Sequence, residues 1–441
     1  MRTIVLSLLL LASPAFADDE LLPWYVDDYA GALADAKKSD RPLVMDLWAP
    51  WCHTCLSMKS TVLANPALST VAERFVWVAL DTDKAANFEA LAKFPPKLWP
   101  TFYVISPEGV IQARLQGGAT LDAFLAFLER GYAGAQEGRS EDGALVAGSP
   151  EFQLRDGDRA ATESRWADAE AAYERALAMA PAQWDAQARV RLARLSTRYK
   201  QRNWKACVDL ASRDLERAFV GHTPAAADFV YYLHACAKKI ENGPRRRGVL
   251  ERGLVSLYGL FADADAPLTL DDSSEALRIA RQIHMELGQR PQARALAETQ
   301  RLMLEEGVRI ARSPKEAMTF SWPRAEVYVW LGRGVELVPH LEILAESLPD
   351  EYDPHYRLAW VRHEIGQSKE AIESITAAEA LAYGPRKARV LALSAKIRAA
   401  AGDTKGALAA RQAVVTLLEG LPDAQRPPGA LDTARKALVA P

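Results

Sequence analysis

Residues 42–55 read "PLVMDLWAPWCHTC", an apolar run followed by two cysteines with two residues between them. The run 42–48, rich in Val, Leu and Trp, has the pattern of a strand buried on both faces. If "CHTCLSMKSTVLA" begins a helix, Cys52 stands where the strand hands over to that helix. Paired thiols have three uses: a metal grip, a structural staple and a redox centre. A closed zinc site needs about four ligands. No second cysteine pair stands at a suitable interval, and the only nearby imidazole is His53. A staple here would close a loop of two intervening residues and constrain the unfolded chain little. Redox work is the use this placement favours.

At a helix N-terminus the Cys52 thiolate would meet unpaired backbone N–H groups and the positive end of the helix dipole. That lowers a thiol pKa from about 8.5 toward neutrality. Cys55, a turn further in, would be more buried and keep its proton. Cys52 then attacks a substrate disulfide, and Cys55 attacks the mixed disulfide to free the product, closing the Cys52–Cys55 bond. In reverse the pair oxidises a dithiol. Neither direction calls for a bound cofactor or a metal.

Around this stretch the pattern is mixed. "YAGALADAKK" from Tyr29 has helical spacing, and "FVWVALD" (75–81) is a second short apolar run. "TFYVISPEGVIQARL" predicts two strands joined at "PEG", and "ATLDAFLAFLERGY" an amphipathic helix ending at Tyr132. This is an α/β order around a small central sheet.

From about Tyr29 to Tyr132 the chain resembles thioredoxin-fold domains. It is most similar to the exported sort, such as the soluble electron-carrying domain of periplasmic disulfide reductases. Trp51 before the first cysteine, Asp46 six residues ahead of Cys52, "WPTFYV" and the Gly117–Gly118 turn carry the likeness. The resemblance implies that Asp46 is a buried acid, its pKa raised by desolvation, taking the proton of Cys55. It implies that Pro100 is a cis-proline facing the two sulfurs. Client backbone would then dock beside Trp51, Trp99, Pro100, Thr101 and Gly117. The chain departs from the family in three places. His53-Thr54 replaces Gly-Pro between the cysteines, Leu56 stands where many relatives carry Lys or Arg, and "FPPKLW" adds bulk before Pro100. Redox direction therefore does not carry over, though a charged His53 would favour the Cys52 thiolate.

Residues 133–150 are polar and glycine-rich and read as a linker. From Glu151 onward no strand is predicted. "GQRPQA", "GQSKEA" and "GDTKGA", ending at Ala293, Ala371 and Ala407, each set a glycine suited to a helix C-cap five positions before a small residue. Gly332 marks a further unit, with Leu337 in the small position. Ala169, Tyr173, Ala176 and Pro181 follow the pattern of tetratricopeptide repeats, two-helix units of about 34 residues, which this region resembles. The expectation is an all-α solenoid of six or seven hairpins, irregular in its middle; the alternative is a non-repetitive helical bundle. Stacked hairpins expose a groove for a partner protein or peptide, with Tyr231, Trp330 and Tyr356 as candidates to line it. Cys207 and Cys236, on consecutive predicted helices, are close enough for a disulfide, but two small buried apolar residues is the preferred reading. "PRRRG" around Arg246 predicts a solvated turn, and the histidines of this half show no metal-ligand spacing.

The 441 residues divide into an export signal (1–17), a thioredoxin-like domain (18–132), the linker and a helical-repeat domain (151–441). Arg2, "IVLSLLLLA" and "AFA" at 15–17 give the signal its charged start, apolar stretch and cleavage site. In a bacterial source this predicts a soluble periplasmic protein, with no stable membrane insertion once the signal is removed. A formal charge of −3 gives no bulk attraction to nucleic acid or anionic membrane. The expected function is thiol–disulfide exchange with protein clients. Net reduction is slightly favoured; it would need a membrane electron donor, since the periplasm is kept oxidising. The alternative is a helical-repeat scaffold with a redox-inactive, peptide-binding head.

Overall fold

The computed structural model describes residues 21–137, 148–218 and 223–439. The expected signal segment and most of the linker lie outside them. The N-terminal unit runs β1 (Trp24–Val26), α1 (Tyr29–Ser39), β2 (Leu43–Trp48), α2 (His53–Thr61), α3 (Ser69–Ala72) and β3 (Val76–Asp81). It continues with α4 (Phe88–Lys93), β4 (Thr101–Ile105), β5 (Ile111–Gln116) and α5 (Leu121–Glu137). The five strands form one sheet in the order β1-β3-β2-β4-β5. β2 and β3 are parallel and central, while β4 and β5 make the antiparallel hairpin at "PEG".

Side chains alternate across β2. Leu43, Met45 and Leu47 pack with Ala32 and Ala36 of α1 and Leu91 of α4. Val44 packs on the other face with Met58 of α2 and Phe124 of α5. Asp46, two residues from Val44, shares that second face and so lies on the side of the cysteine-bearing helix. β1, with only three residues, has too short a pattern to be read from sequence, and α5 runs past Tyr132 to Glu137.

The remainder is a series of antiparallel helices: α6 (Pro150–Thr162), α7 (Trp166–Met179), α8 (Gln187–Lys200), α9 (Trp204–Ala218), α10 (Pro224–Ala237) and α11 (Pro244–Ala262). Then come α12 (Leu270–Glu286), α13 (Arg290–Ile310), α14 (Pro314–Trp330), α15 (Gly334–Ser347), α16 (Tyr352–Glu364) and α17 (Ser368–Leu381). α18 (Lys387–Ala400), α19 (Thr404–Gly420) and α20 (Ala430–Val439) complete it. Pairing from α6/α7 to α18/α19 gives seven hairpins among the described residues, with α20 packed on the last. Gly288, Gly332, Gly366 and Gly402 all turn their hairpins with positive φ, between 75° and 84°. Five positions on, Ala293, Leu337, Ala371 and Ala407 are buried.

Two expectations for this half are corrected. Cys207 and Cys236 are joined as a disulfide between α9 and α10, with Cα atoms 6.1 Å apart, rather than left as free thiols. "PRRRG" opens α11 instead of forming a turn, and Arg245 and Arg246 pair there with Asp209 and Glu286. Those carboxylates offset the poor fit of cations to a helix N-terminus.

The sheet unit does not hang on a free tether. The first helix of every hairpin meets it. From α6, Arg159 Nε donates to the Ile111 carbonyl of edge strand β5 at 2.9 Å, and from α8, Arg189 reaches the Gln116 carbonyl at 3.5 Å. α10 sets Asp228 against Gly117, and α12 sets Asp271 against His53. α14 packs on α2, Arg357 of α16 donates to the Trp51 carbonyl at 3.5 Å, and Arg386 at the start of α18 stacks on the Trp51 ring. Ahead of α18, Gly384 takes a positive φ of 55° and abuts the Asp83 backbone so closely that a Cβ would collide with it. The inner face of the stack, expected to be an open groove, holds the chain's own N-terminal unit.

Candidate active site

β2 ends at Trp48, and the chain turns through Ala49–Trp51 into α2. Cys52 is the N-cap residue of that helix. Its backbone is extended (φ −84°, ψ 103°), and its sulfur accepts the Cys55 N–H at 3.0 Å. The helix N-terminus therefore points its unsatisfied donors at this sulfur, the arrangement that stabilises a thiolate. The pair is present as a Cys52–Cys55 disulfide, with Cα atoms 5.2 Å apart. Cys52 is 5% exposed and Cys55 2%, with Ala49 in the same buried cluster and Trp48, Trp51 and Trp99 around it.

Asp46 is 1% exposed, and its Oδ1 has no hydrogen-bond partner. Burial pushes its pKa up to about 7, against the opposing pull of Lys59. A carboxyl so placed exchanges a proton near neutral pH, which an exposed aspartate does not.

His53 Nδ1 lies 2.8 Å from Asp271 Oδ1. Burial works against the imidazolium, but the Asp271 carboxylate, backed by Glu275, holds the pKa above its usual value. The cation so favoured is next in sequence to Cys52 and adds to the field that stabilises a thiolate there.

The Trp99–Pro100 bond is cis. Pro100 is buried and its carbonyl accepts the Gly117 N–H at 2.9 Å, while Thr101 Oγ1 donates to the Leu98 carbonyl at 2.6 Å. Trp99 is half-buried, donates its ring N–H to Thr82 Oγ1 at 2.8 Å and packs 5.3 Å from the Trp51 ring. Trp51 in turn donates to Asp83 Oδ2 at 2.7 Å. Burial raises Asp83 to about 7 despite that bond.

Above Cys52 lies a cleft of about 650 Å3, walled by the N-terminal unit on one side and α14, α16 and α18 on the other. Trp51, Cys52, His53 and Trp99 line the first wall; Trp322, Tyr356 and Trp360 are the aromatic part of the second. Arg357, Arg386, Arg389 and Lys396 are its cationic part. Cys52, Trp51 and Trp99 thus meet at the cleft, whereas Pro100 and Thr101 lie in the wall behind it. Gly117 faces α10, where an added Cβ would sit 3.2 Å from Asp228 Oδ2, so this turn is closed to a client by the helical half. Tyr356 of the groove candidates lines the cleft; Tyr231 and Trp330 are among the exposed large apolar residues.

Sequence reasoning did not find Asp83, Asp271, Arg357 or Arg386. Asp353 and Arg357 stand four apart, a spacing equally typical of a solvated helix face; instead they form a buried ion pair beneath the cleft. Among the described residues, no cluster of His, Cys, Asp and Glu could hold a metal ion, and no helix is long and apolar enough to cross a membrane.

Residues 24–104 match a family model described as thioredoxin-like. No curated protein matches the chain. Solved structures that resemble it include a tetratricopeptide repeat protein from Parabacteroides merdae, at 13% identity over 66% of this chain and 97% of that one, with a TM-score of 0.40. YrrB, described as a TPR protein with an unusual peptide-binding site, shows 14% identity over 48% and 91%, TM-score 0.26. The TPR2AB-domain:pHSP90 complex of yeast Sti1 shows 12% identity over 66% and 96%, TM-score 0.24. The chain is a thioredoxin-like domain with a Cys52–Cys55 pair, followed by a solenoid of tetratricopeptide-like helical hairpins.

Proposed function

We propose that the protein is a thiol–disulfide oxidoreductase, exported to the periplasm, that exchanges disulfides with protein clients through Cys52 and Cys55. The observation that carries this reading is Cys52 at the cap of α2, its sulfur facing the Cys55 N–H and opening onto a cleft. In the dithiol form, the Cys52 thiolate attacks a client disulfide and releases one client thiolate. Asp46 accepts the Cys55 proton, and the Cys55 thiolate attacks the Cys52 sulfur. The second client sulfur leaves, and two electrons have passed to the client. A dithiol donor, such as a membrane electron carrier, restores the pair. Trp51 and Trp99 form the contact surface, with Pro100, Thr101 and Gly117 supporting it from behind. Among the described residues, the Trp99 main-chain N–H and C=O make no hydrogen bond, which leaves them free for an extended client.

The second reading, a helical-repeat scaffold with a redox-inactive, peptide-binding head, draws on the slight exposure of Cys52. Trapping separates the two. Cys55→Ser is expected to accumulate disulfide-linked clients through Cys52, and Cys52→Ser to accumulate none. Absence of adducts with both variants, together with no turnover of the small uncharged bis(2-hydroxyethyl) disulfide by the reduced wild type, would leave the scaffold reading standing.

A further inference from the structure

The helical wall of the cleft is not a neutral cover. Arg386, Arg389, Leu393 and Lys396 follow one another at helical spacing along the side of α18 that lines the cleft. Among the described residues neither Arg389 nor Lys396 has an ion-pair partner, whereas Arg386 faces the buried Asp83 carboxyl, which accepts its backbone N–H. Arg386 also lies over the rings of Trp51 and Tyr356, and its Nε is buried without a hydrogen-bond partner. Arg389 and Lys396 are exposed. The acids on the same walls are Asp353, already spent on Arg357, and Glu364 at the exposed end of α16. The cleft therefore keeps a positive surplus beside a nearly buried sulfur.

Spacing decides between possible occupants. Arg389 and Lys396 stand seven residues, about 10 Å, apart, and the wall they belong to runs ten residues, about 15 Å, from Arg386. A small disulfide does not reach across that distance, whereas about four or five extended residues do. Trp322 of α14 and Trp360 of α16, with ring centroids 4.9 Å apart, present aromatic surface to the same cleft. The bulk of α14, α16 and α18 excludes a flat protein surface from Cys52.

We propose that the disulfides accepted by Cys52 are carried on extended acidic segments of client proteins, seated along α18 with their carboxylates against Arg389 and Lys396. This rests on the exchange reading above and adds to it the class of substrate. Exchange itself is as written there: the Cys52–client bond forms as the client S–S bond breaks, and Cys55 then displaces the client thiolate.

The test uses the full-length protein, reduced in advance and freed of reductant. Its substrates are linear peptides of equal length whose single cysteine is capped as a mixed disulfide with 2-mercaptoethanol and flanked by Asp, Asn or Lys. Single-turnover rates are expected to rank Asp over Asn over Lys, with about a tenfold step between the first two that shrinks as salt is added. In R389E/K396E the Asp-to-Asn ratio is expected to fall to about twofold or less. Equal rates for the three peptides, with bis(2-hydroxyethyl) disulfide still reduced, would overturn the acidic-segment proposal and leave the exchange reading intact. An equal advantage for the small dicarboxylate 3,3′-dithiodipropionate would overturn the extended occupant. Failure to reduce any disulfide would refute the exchange reading, and this proposal with it.

Discussion

Asp46 shows how much one buried residue ties chemistry to stability. Its carboxyl titrates near 7 in the fold and near 3.9 in an unfolded chain. Between those values the folded protein binds the extra proton, so stability falls as pH rises from about 4 to about 7. The slope from this one group approaches 1.4 kcal/mol per pH unit. Asp83, also raised to about 7, adds a slope of the same sign. Asp46→Asn should remove one share only. From pH 5 to pH 7, wild-type unfolding free energy in urea should drop by about 2 kcal/mol more than that of the variant. If Asp46 accepts the Cys55 proton as proposed, the same variant should slow the release of mixed disulfides. An identical pH slope in both proteins would mean that Asp46 is already ionised in the fold. Asp46 itself could be picked out from sequence, because its place in the run before Cys52 is local. His53 could be named but not understood, since its partner Asp271 is 218 positions away.

Hairpin turns make the same point among elements. Where glycine supplies the left-handed cap, at 288, 332, 366 and 402, the repeat shows in the sequence. Earlier in the stack, Ser164 (φ 60°) and Arg202 (φ 58°) occupy the equivalent turns of α6/α7 and α8/α9. Five positions on stand Ala169 and Cys207, both buried, in the small-residue slot. The register thus continues into the irregular stretch around Arg202, where it does not show in the sequence because arginine does not advertise a positive φ. Arg202 is exposed, so Arg202→Gly should relieve backbone strain without loss of contacts. The gain should be about 0.5–1 kcal/mol, after allowing for the greater freedom glycine gives the unfolded chain. A higher urea midpoint at unchanged slope would bear this out; a lower one would mean that the side chain is doing something in the fold.

For the molecule as a whole, apolar periodicity revealed two kinds of structure and said nothing of how they meet. The contacts that join them are far apart in sequence; some are polar, such as Tyr383 Oη donating to Asp81 Oδ2 at 2.6 Å, and others apolar, such as Trp51 and Phe88 packed against the clusters of the last helices. Stacked hairpins otherwise owe their cohesion to neighbours. The Cys207–Cys236 disulfide is an exception, tying α9 of one hairpin to α10 of the next across a sequence separation of 29. A loop of that length stabilises by roughly 3.5 kcal/mol in the chain-entropy account. C207A/C236A should therefore lower the unfolding free energy by about 2–4 kcal/mol, and reductant should destabilise the wild type much more than the double variant. If reductant affects both alike, the two sulfurs are not bonded in solution.

The placing of Arg357 against Trp51, 306 positions apart, sets an order of events during biosynthesis. A ribosome adding roughly 5–20 residues per second completes the unit that carries Cys52 and Cys55 some 15–60 s before it delivers the helices that roof it. On the exchange reading proposed above, Cys52 would stand without that wall for the interval, open to any disulfide that reaches it. On that reading, selectivity would be acquired late, with the last-made hairpins.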